Sequence, residues 1–229
     1  SKEAVNHNGR ALEYASHELG SALKYASDES KSNYPIVLAA VINCGQALMF
    51  ASIELKRDRK LMLTSLSRHD DDCELLLKSM EKDRDFMLIA VSHNGIYLKH
   101  ASDELKGDRE IVFAAVHKNG FVLEFASDVL RADREVALVA VNQDGFALRF
   151  CSRELQNDHE VVLAAVNQNG LALQFATGER RRDREIVMAA VNQDGRAVQY
   201  TSCDLRCDRE IVMMAVNQNG CALEFASYE

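Results

Sequence analysis

The stretch that decides the fold is 108–132, DREIVFAAVHKNGFVLEFASDVLRA, because close copies of it recur every 25 residues. Glycines mark the period at equal steps: Gly95, Gly120, Gly145, Gly170, Gly195 and Gly220. Gly45 and Gly20 keep the same register towards the N-terminus, and Asp70 holds the glycine position between Gly45 and Gly95. Such a period is typical of arrays in which each unit buries its apolar face against its neighbours.

The composition favours a helical protein with a continuous core. Apolar residues make up 47% of the 229 residues, Trp is absent, and proline occurs once, at Pro35. The net charge of −8 speaks against a dedicated polyanion binder. The longest fully apolar run, 36–42, is too short to span a bilayer, and neither a signal peptide nor an Asn-x-Ser/Thr acceptor is visible. We expect an intracellular, reducing compartment, either the cytoplasm or an organelle interior.

The first half of each copy predicts a helix, which we call helix A. Asp108 is suited to cap its N-terminus, and Asp or Asn recurs there in the other copies. The apolar run 111–116 has no polar face, so neighbours should enclose helix A on most sides. The helix should stop at Asn119-Gly120, with the glycine in the left-handed conformation that ends helices at low cost.

The second half predicts an amphipathic helix B, with an apolar stripe at helical spacing. Its members in this copy are Val122, Leu123, Phe125, Ala126 and Leu130. The next position is Ser or Thr in most copies: Ser52, Ser102, Ser127, Ser152, Thr177, Ser202 and Ser227. No regular His or Lys accompanies these hydroxyls, so we expect them to bond the carbonyl of the preceding turn rather than act as nucleophiles.

Leucine-rich repeats have comparable periods, so a strand must be weighed for the run EVVLAAV. Paired alanines in the run, the recurring Asp cap and the missing L-x-x-L-x-L signature favour two helices instead. The predicted fold is therefore an all-α solenoid of 25-residue two-helix repeats, forming one array over 1–229. Irregular copies occupy 1–32, where 28–32 should be an exposed connector before Pro35 opens the next helix. Helix pairs follow at 33–57, 58–82 (degenerate), 83–107, 108–132, 133–157, 158–182, 183–207 and 208–229.

No group of residues predicts chemistry. Cys73 and Cys151 replace regular apolar residues, and Cys203 and Cys207 lack a nearby His, so a metal site there is not favoured. The run 69–73, His-Asp-Asp-Asp-Cys, is better explained as a solvated turn than as a cation site. Phosphate loops, nucleophile elbows and HExxH motifs are missing. We predict no enzyme, no cofactor, and no catalytic, cofactor-binding or metal-binding residues.

The leading functional hypothesis is a non-catalytic scaffold that binds other protein subunits, as a structural part of a larger assembly. Two positions of the repeat vary against a constant core and could form either a binding surface or an unused solvent face. One comprises Ile53, Asp103, Arg153, Gly178, Cys203 and Tyr228; the other comprises Met49, Lys99, Glu124, Arg149 and Gln174. The terminal repeats carry no polar capping helix, so we also expect contacts there and around Asp70.

The alternative is an RNA-binding helical repeat protein. Asn-Gln pairs recur at 142–143, 167–168, 192–193 and 217–218, and an Arg row comprises Arg84, Arg109, Arg134, Arg184 and Arg209. A base-reading code needs residues that differ between repeats, and these pairs do not differ. Neighbouring Asp and Glu also neutralise the Arg row, so nucleic acid is not the expected partner.

The repeat motif DREIVLAAVNQNGxALxFASxEL resembles an uncharacterised family, the domain of unknown function 4116. The resemblance is specific for the six copies from Asp83 onwards, weaker for 33–57 and poor for 58–82. It implies helical repeats, and it implies neither an established chemistry nor any catalytic residues.

Overall fold

A computed structural model gives the structure of residues 23–67 and 72–225, with the backbone alone described for Asp72 and Cys73. The chain forms two compact units, Ser1–Leu105 and Lys106–Glu229. Within the described residues every regular element is helical. Each unit is an all-α stack of repeats, which confirms the predicted solenoid class.

One long α-helix opens each repeat. These helices are α1 (Tyr34–Asn43), α2 (Arg59–Leu66), α3 (Arg84–His93), α4 (Arg109–Lys118), α5 (Arg134–Gln143), α6 (His159–Gln168), α7 (Arg184–Gln193) and α8 (Arg209–Gln218). Six-residue 3₁₀-helices follow at Gly45–Phe50, Gly95–His100, Gly120–Phe125, Gly145–Phe150, Gly170–Phe175, Gly195–Tyr200 and Gly220–Phe225. Short helical turns close the repeats at Asp28–Lys31, Ile53–Lys56, Leu105–Gly107, Asp128–Arg131, Leu155–Asn157, Arg180–Arg182 and Cys203–Arg206.

The predicted Asp caps are confirmed. The Asp108 carboxylate accepts hydrogen bonds from the N–H groups of Glu110 and Ile111, at 3.0 and 3.2 Å. Asn33 plays the same part for α1, accepting from the Ile36 N–H, and Pro35 lies in the first turn as predicted. Each cap satisfies backbone donors that have no partner inside the helix.

The long helices end differently from the prediction, because the glycine is not left-handed. None of the glycines in the described residues has a positive φ. Instead Asn119 leaves the helix in extended conformation, with φ −156°, after its N–H has bonded the Ala115 carbonyl. Its side chain then accepts from the Phe121 N–H at 2.9 Å and so caps the following 3₁₀-helix. One polar residue thus ends one helix and begins the next.

The predicted helix B is not one α-helix but a 3₁₀-helix and a short helical turn. Ala126 separates the two parts in extended conformation. The break has a clear cause, because the Ser127 N–H donates at 3.0 Å to the Lys106 carbonyl of the preceding repeat. A backbone donor used between repeats cannot continue a helix within its own repeat. The predicted apolar stripe is still largely buried, at Val122, Leu123, Ala126 and Leu130.

Three of the recurring hydroxyls cap the short turns rather than bonding the preceding carbonyls, which corrects the prediction, whereas Ser127 makes no capping bond. Ser52, Ser102 and Ser152 each accept from the N–H three residues further on, at 3.4 Å. Thr177 instead donates to the Asn157 amide oxygen, and the buried hydroxyl of Ser202 has no partner. Both the acceptor role and the extended backbone at this position fit an N-cap.

The glycines are required by a close approach between repeats. A Cβ on Gly145 would lie 2.5 Å from the backbone oxygen of Ala165 in the next long helix, α6. The same holds for Gly195 against Ala215 and, in the first unit, for Gly45 against Ser65, each at 2.5 Å. Because any larger residue would push this carbonyl away, the glycine sets how closely successive repeats stack.

The same glycines are bonded by a glutamine from the next repeat. The Gly145 N–H donates to Gln168 Oε1, and the Gly170 N–H donates to Gln193 Oε1, both at 2.6 Å. Gly195 and Gln218 form the third such pair. The glutamine therefore joins repeats in three of the four Asn-Gln pairs and is not a free reading group there.

Two N-terminal features differ from the sequence prediction. The polar stretch 28–32 is not a connector, because Asp28–Lys31 forms the same short helical turn that closes other repeats. The degenerate repeat 58–82 replaces its 3₁₀-helix by an α-helix, Asp72–Ser79. Residues 1–22 of the irregular copies, the side chains of the run 69–73 and the ends of the chain lie outside the described residues.

Replacing Gly145 with Ala should lower the free energy of unfolding by roughly 1–3 kcal/mol, because the new Cβ must displace the Ala165 carbonyl. Gly178 supplies a matched control, since a Cβ there would meet no atom within 4 Å. Gly178→Ala should be neutral or stabilising by up to about 1 kcal/mol. Urea unfolding of both variants measures the difference, and equal effects would contradict the packing role of Gly145.

Candidate functional site

A row of large apolar side chains lies along the surface of the long helices. In the second unit this apolar row consists of Phe113, Leu138, Leu163, Met188 and Met213, one from each helix from α4 to α8. The first four are half-buried, and Met213 is 52% exposed. In the first unit Leu38, Leu63 and Leu88 hold the same position and are also half-buried.

The apolar row exists because each long helix buries only part of its apolar run. In α4 the fully buried side chains are Ile111, Val112, Ala115 and Val116, whereas Phe113 stays partly exposed. Neighbours therefore enclose this helix on most sides, as predicted, and leave one side partly exposed. That side carries a large apolar residue in every described repeat, which a purely solvated face would not need.

A ladder of ion pairs runs along the N-terminal ends of the same helices. Arg109 bonds Asp133 at 3.1 Å and also Glu135, both in the next repeat. Arg134 makes the equivalent pairs with Asp158 and Glu160, and Arg184 makes them with Asp208 and Glu210. His159 holds the arginine position in its repeat and lies 3.6 Å from Asp183 and 3.5 Å from Glu185.

The ladder leaves this edge of the surface acidic. At the joints of Arg109, Arg134 and Arg184 two carboxylates face one guanidinium, so negative charge remains in excess there. At the His159 joint Arg180 also pairs with Asp183, at 3.1 Å. The glutamates are its most accessible members: the side chains of Glu135, Glu160, Glu185 and Glu210 are 68%, 69%, 69% and 64% exposed. Positive groups on a partner would meet these carboxylates first.

Local interactions favour the ionised form of two ladder carboxylates, Asp133 and Asp158. Partial burial raises the pKa of Asp133, but hydrogen bonds from the Val136 N–H and from Arg109 outweigh it, so the pKa is lowered. The pKa of Asp158 is lowered in the same way, by the Val161 N–H and Arg134. Each of these carboxylates caps its own helix and binds the preceding repeat at the same time.

An amide row borders the apolar row on the other side. It consists of Asn142, Asn167, Asn192 and Asn217, each four residues after a member of the apolar row and therefore one turn along the same helix face. All four are exposed, and within the described structure none of their side-chain amides has a hydrogen-bond partner. Between α7 and α8 the two rows line one shallow depression, formed by Asn192, Met213, Met214 and Asn217 with Glu210.

The variable positions predicted from the sequence lie elsewhere in the repeat. Ile53, Asp103, Arg153, Gly178 and Cys203 are exposed on the short turns, and Tyr228 lies outside the described residues. Of the second set, Lys99, Glu124 and Arg149 are exposed, while Met49 and Gln174 are half-buried. Arg149 is occupied by packing, since its guanidinium lies 4.9 Å from the Phe150 ring centre and 5.8 Å from that of Phe175.

The cysteines show no sign of a metal centre in the described part of the chain. Cys151 is a buried hydrophobe, as predicted, and burial raises the pKa of its thiol to about 12. Cys203, Cys207 and Cys221 are exposed free thiols. Over residues 23–67 and 72–225, no three His, Cys, Asp or Glu side chains are grouped to hold a metal ion. The same residues contain no helix with the length and hydropathy needed to cross a membrane.

The stacked helices, the repeated caps and the joints between repeats define a helical repeat protein. Within that class the chain belongs to the family known as DUF4116, a domain of unknown function, whose model matches residues 20–56, 83–131, 133–180 and 183–229. Each of the three later matches spans two 25-residue repeats, and the degenerate repeat 58–82 falls between matches. Neither the curated proteins nor the solved structures contain a match to this chain.

Sequence reasoning missed the apolar row and the amide row as surface features. A signal for the first was present, since Leu, Phe or Met recurs at 38, 63, 88, 113, 138, 163, 188 and 213. The Asn-Gln pairs were noticed, but the sequence could not separate their roles. The structure does so, because the glutamines join repeats while the asparagines face solvent.

Asp133→Asn should lower the free energy of unfolding at pH 7 by roughly 0.5–1 kcal/mol, because asparagine still caps the helix but cannot pair with Arg109. Since the Asp133 pKa is lower in the folded chain, its contribution is complete above a pH of about 4–5 and disappears as the pH falls through the folded pKa. The difference between wild type and variant should therefore shrink in acid. Urea unfolding at several pH values tests this.

The control for this experiment is Glu124→Gln, which removes a carboxylate that is exposed on the 3₁₀-helix. Its effect on unfolding at pH 7 should be smaller than that of Asp133→Asn, because Glu124 is not part of the ladder. A gap between Asp133→Asn and wild type that stays constant down to strongly acid pH would contradict the ladder's electrostatic role.

Proposed function

We propose that the protein is a non-catalytic helical-repeat scaffold that binds a partner protein along the exposed side of its long helices. The binding face is defined by the apolar row, the ladder glutamates and the amide row of the second unit. The single observation that supports it best is the apolar row itself. Five consecutive helices each place a large, partly exposed apolar side chain at the same position of the repeat.

The chemistry of the binding face specifies the partner. Apolar side chains of a ligand would cover the apolar row, and its positive groups would lie against the exposed ladder glutamates. The chain's net charge of −8 adds long-range attraction for a positively charged partner. We therefore propose a partner segment that is both apolar and basic.

The other expected contact sites remain predictions. Residues 1–22 and the turn around Asp70 fall outside the described residues, whereas the C-terminal repeat is described as far as Phe225 and contributes Met213 and Asn217 to the binding face. The variable positions on the short turns are exposed but mix charged, apolar and small residues without a shared chemistry. The binding face differs from them because a large apolar side chain recurs along it in every repeat.

RNA binding, the alternative function, receives less support from the same observations. Three arginines of the row, Arg109, Arg134 and Arg184, are each paired with two carboxylates of the next repeat. A polyanion would have to approach an edge where carboxylates outnumber cations. We expect no salt-dependent binding of single-stranded oligonucleotides.

The absence of enzymatic activity and an intracellular location are also part of the proposal. The first rests on the sequence, in which phosphate loops, nucleophile elbows and HExxH motifs are missing. In support of the second, each cysteine whose side chain is described is a free thiol, which suits a reducing compartment.

Random peptides displayed on phage and selected against the purified chain provide the direct test. We expect enrichment of basic peptides that contain several apolar residues. Leu163→Lys, at the centre of the apolar row, should weaken the enriched peptides at least tenfold, because it removes apolar contact and repels positive charge. Titration of fluorescent peptides measures the affinities.

Val129→Lys is the control, because it makes the same kind of change at an apolar surface residue, 79% exposed, that lies on a short turn. It should leave peptide affinity within twofold of wild type. Circular dichroism must show both variants folded. Enriched peptides that bind the two variants equally, or a selection without enrichment, would overturn the proposed function.

A further inference from the structure

The amide row contains four consecutive unpaired asparagines whose place in the fold has no structural explanation. Asparagine is a poor helix former, and each of these residues lies one position before the end of its long helix. Their neighbours in the sequence, the glutamines, account for the contacts between repeats. A free carboxamide repeated once per helix beside an apolar row is suited to binding a ligand with an equally regular set of polar groups.

We propose that the binding face holds an extended peptide in the polyproline II conformation, with an apolar side chain at every third residue and basic residues between them. The asparagine carboxamides bond the peptide main chain, and the apolar row receives the side chains at every third residue. This inference rests on the proposed function and names the class and conformation of its ligand.

The free amides fit an extended ligand better than a helical one. A peptide helix has already paired its main-chain N–H and C=O groups, so it would leave the amide row unsatisfied at the interface. An extended chain has those groups free. A carboxamide carries both a donor and an acceptor, so one asparagine can bond one N–H and one C=O of such a chain.

The spacing of the repeats selects polyproline II among extended conformations. Packed helices lie about 8–10 Å apart, so the two rows present one apolar residue and one amide at about that interval. Polyproline II rises about 3.1 Å per residue with three residues per turn, which repeats every ~9.3 Å. A β-strand repeats its facing side chain every two residues, at roughly 6.6 Å, and falls out of step with the helices.

The uniformity of the amide row supports main-chain recognition. Asparagine at every step cannot discriminate between different side chains or bases, but the main chain presents the same groups at every turn. The remaining specificity comes from the edges of the binding face. Residues between the apolar positions of the peptide lie within reach of the ladder glutamates Glu160, Glu185 and Glu210, which favours Lys and Arg there.

Three acetylated peptides of identical composition, built from leucine, lysine and glutamine, test the spacing. In one the leucines recur every third residue, in the second every second residue, and in the third at the alternating three and four of a helix. Fluorescence anisotropy with the whole chain should show the period-three peptide binding at least tenfold tighter than the other two. The circular dichroism of the bound period-three peptide should show no gain of helix.

Asn167→Ala combined with Asn192→Ala tests the amides. The double variant should weaken the period-three peptide by roughly tenfold or more, since it removes hydrogen bonds to the main chain. Arg153→Ala is the control, because Arg153 is exposed on a short turn away from the long helices, and it should change affinity less than twofold.

Main-chain methylation distinguishes hydrogen bonds from nonspecific loss. The period-three peptide is N-methylated at each of three successive central residues in turn. At one of these registers methylation should weaken binding to wild type severalfold while having little effect on the double asparagine variant. Such non-additivity is expected only where the methylated N–H and an asparagine form one interaction.

The outcomes separate this inference from the proposed function. If displayed peptides are enriched and respond to Leu163→Lys but follow helical spacing, or ignore the asparagine variants, the extended ligand is wrong and the scaffold function stands. If selection yields no peptide sensitive to Leu163→Lys, both fail. Displacement of a bound peptide by single-stranded RNA at moderate salt would overturn the inference in favour of a nucleic-acid ligand.

Discussion

The contact between a glycine and the carbonyl oxygen of the next long helix is the constraint on which the stacking depends. At Gly145 and Gly195 no Cβ can be accommodated against Ala165 and Ala215. This approach brings the glycine N–H to the following glutamine and aligns the Arg–Asp–Glu ladder. It also draws backbone donors such as the Ser152 N–H into bonds with the preceding repeat. Breaking the contact at one joint would disturb all of these interactions together.

The sequence could predict features that depend on residues close together in the chain. Predictions were wrong where the hydrogen-bond or packing partner belongs to an adjacent repeat. The Asp108 cap and the Pro35 helix start are local and were correctly predicted. The conformation of Gly120 was not, because a glycine required by positive φ and one required by close packing look identical in a sequence. The prediction of helix B as one α-helix was wrong for a related reason, because the Ser127 N–H donates to a carbonyl 21 residues away.

The apolar run of each long helix makes the fold easy to predict, but it also prevents the sequence from predicting the candidate site. An all-apolar run such as 111–116 predicts a buried helix, and nothing in it marks which side remains exposed. Only the placement of adjacent helices separates Phe113 on the surface from Val112 in the core. Likewise, Asn167 and Gln168 are adjacent and chemically similar, yet Gln168 joins repeats while Asn167 faces solvent.

The contacts between repeats fix the number of residues in each unit. These contacts link residues 21, 23, 24 and 26 positions apart, so a single inserted residue would misplace every one of them at that joint. Amino-acid identity is less constrained than spacing. The repeat 58–82 has lost most of the motif and changed its second helix, yet it retains its 25 residues. A chain of this kind can change its length only in whole repeats, which makes duplication and deletion of complete units the available route for its evolution.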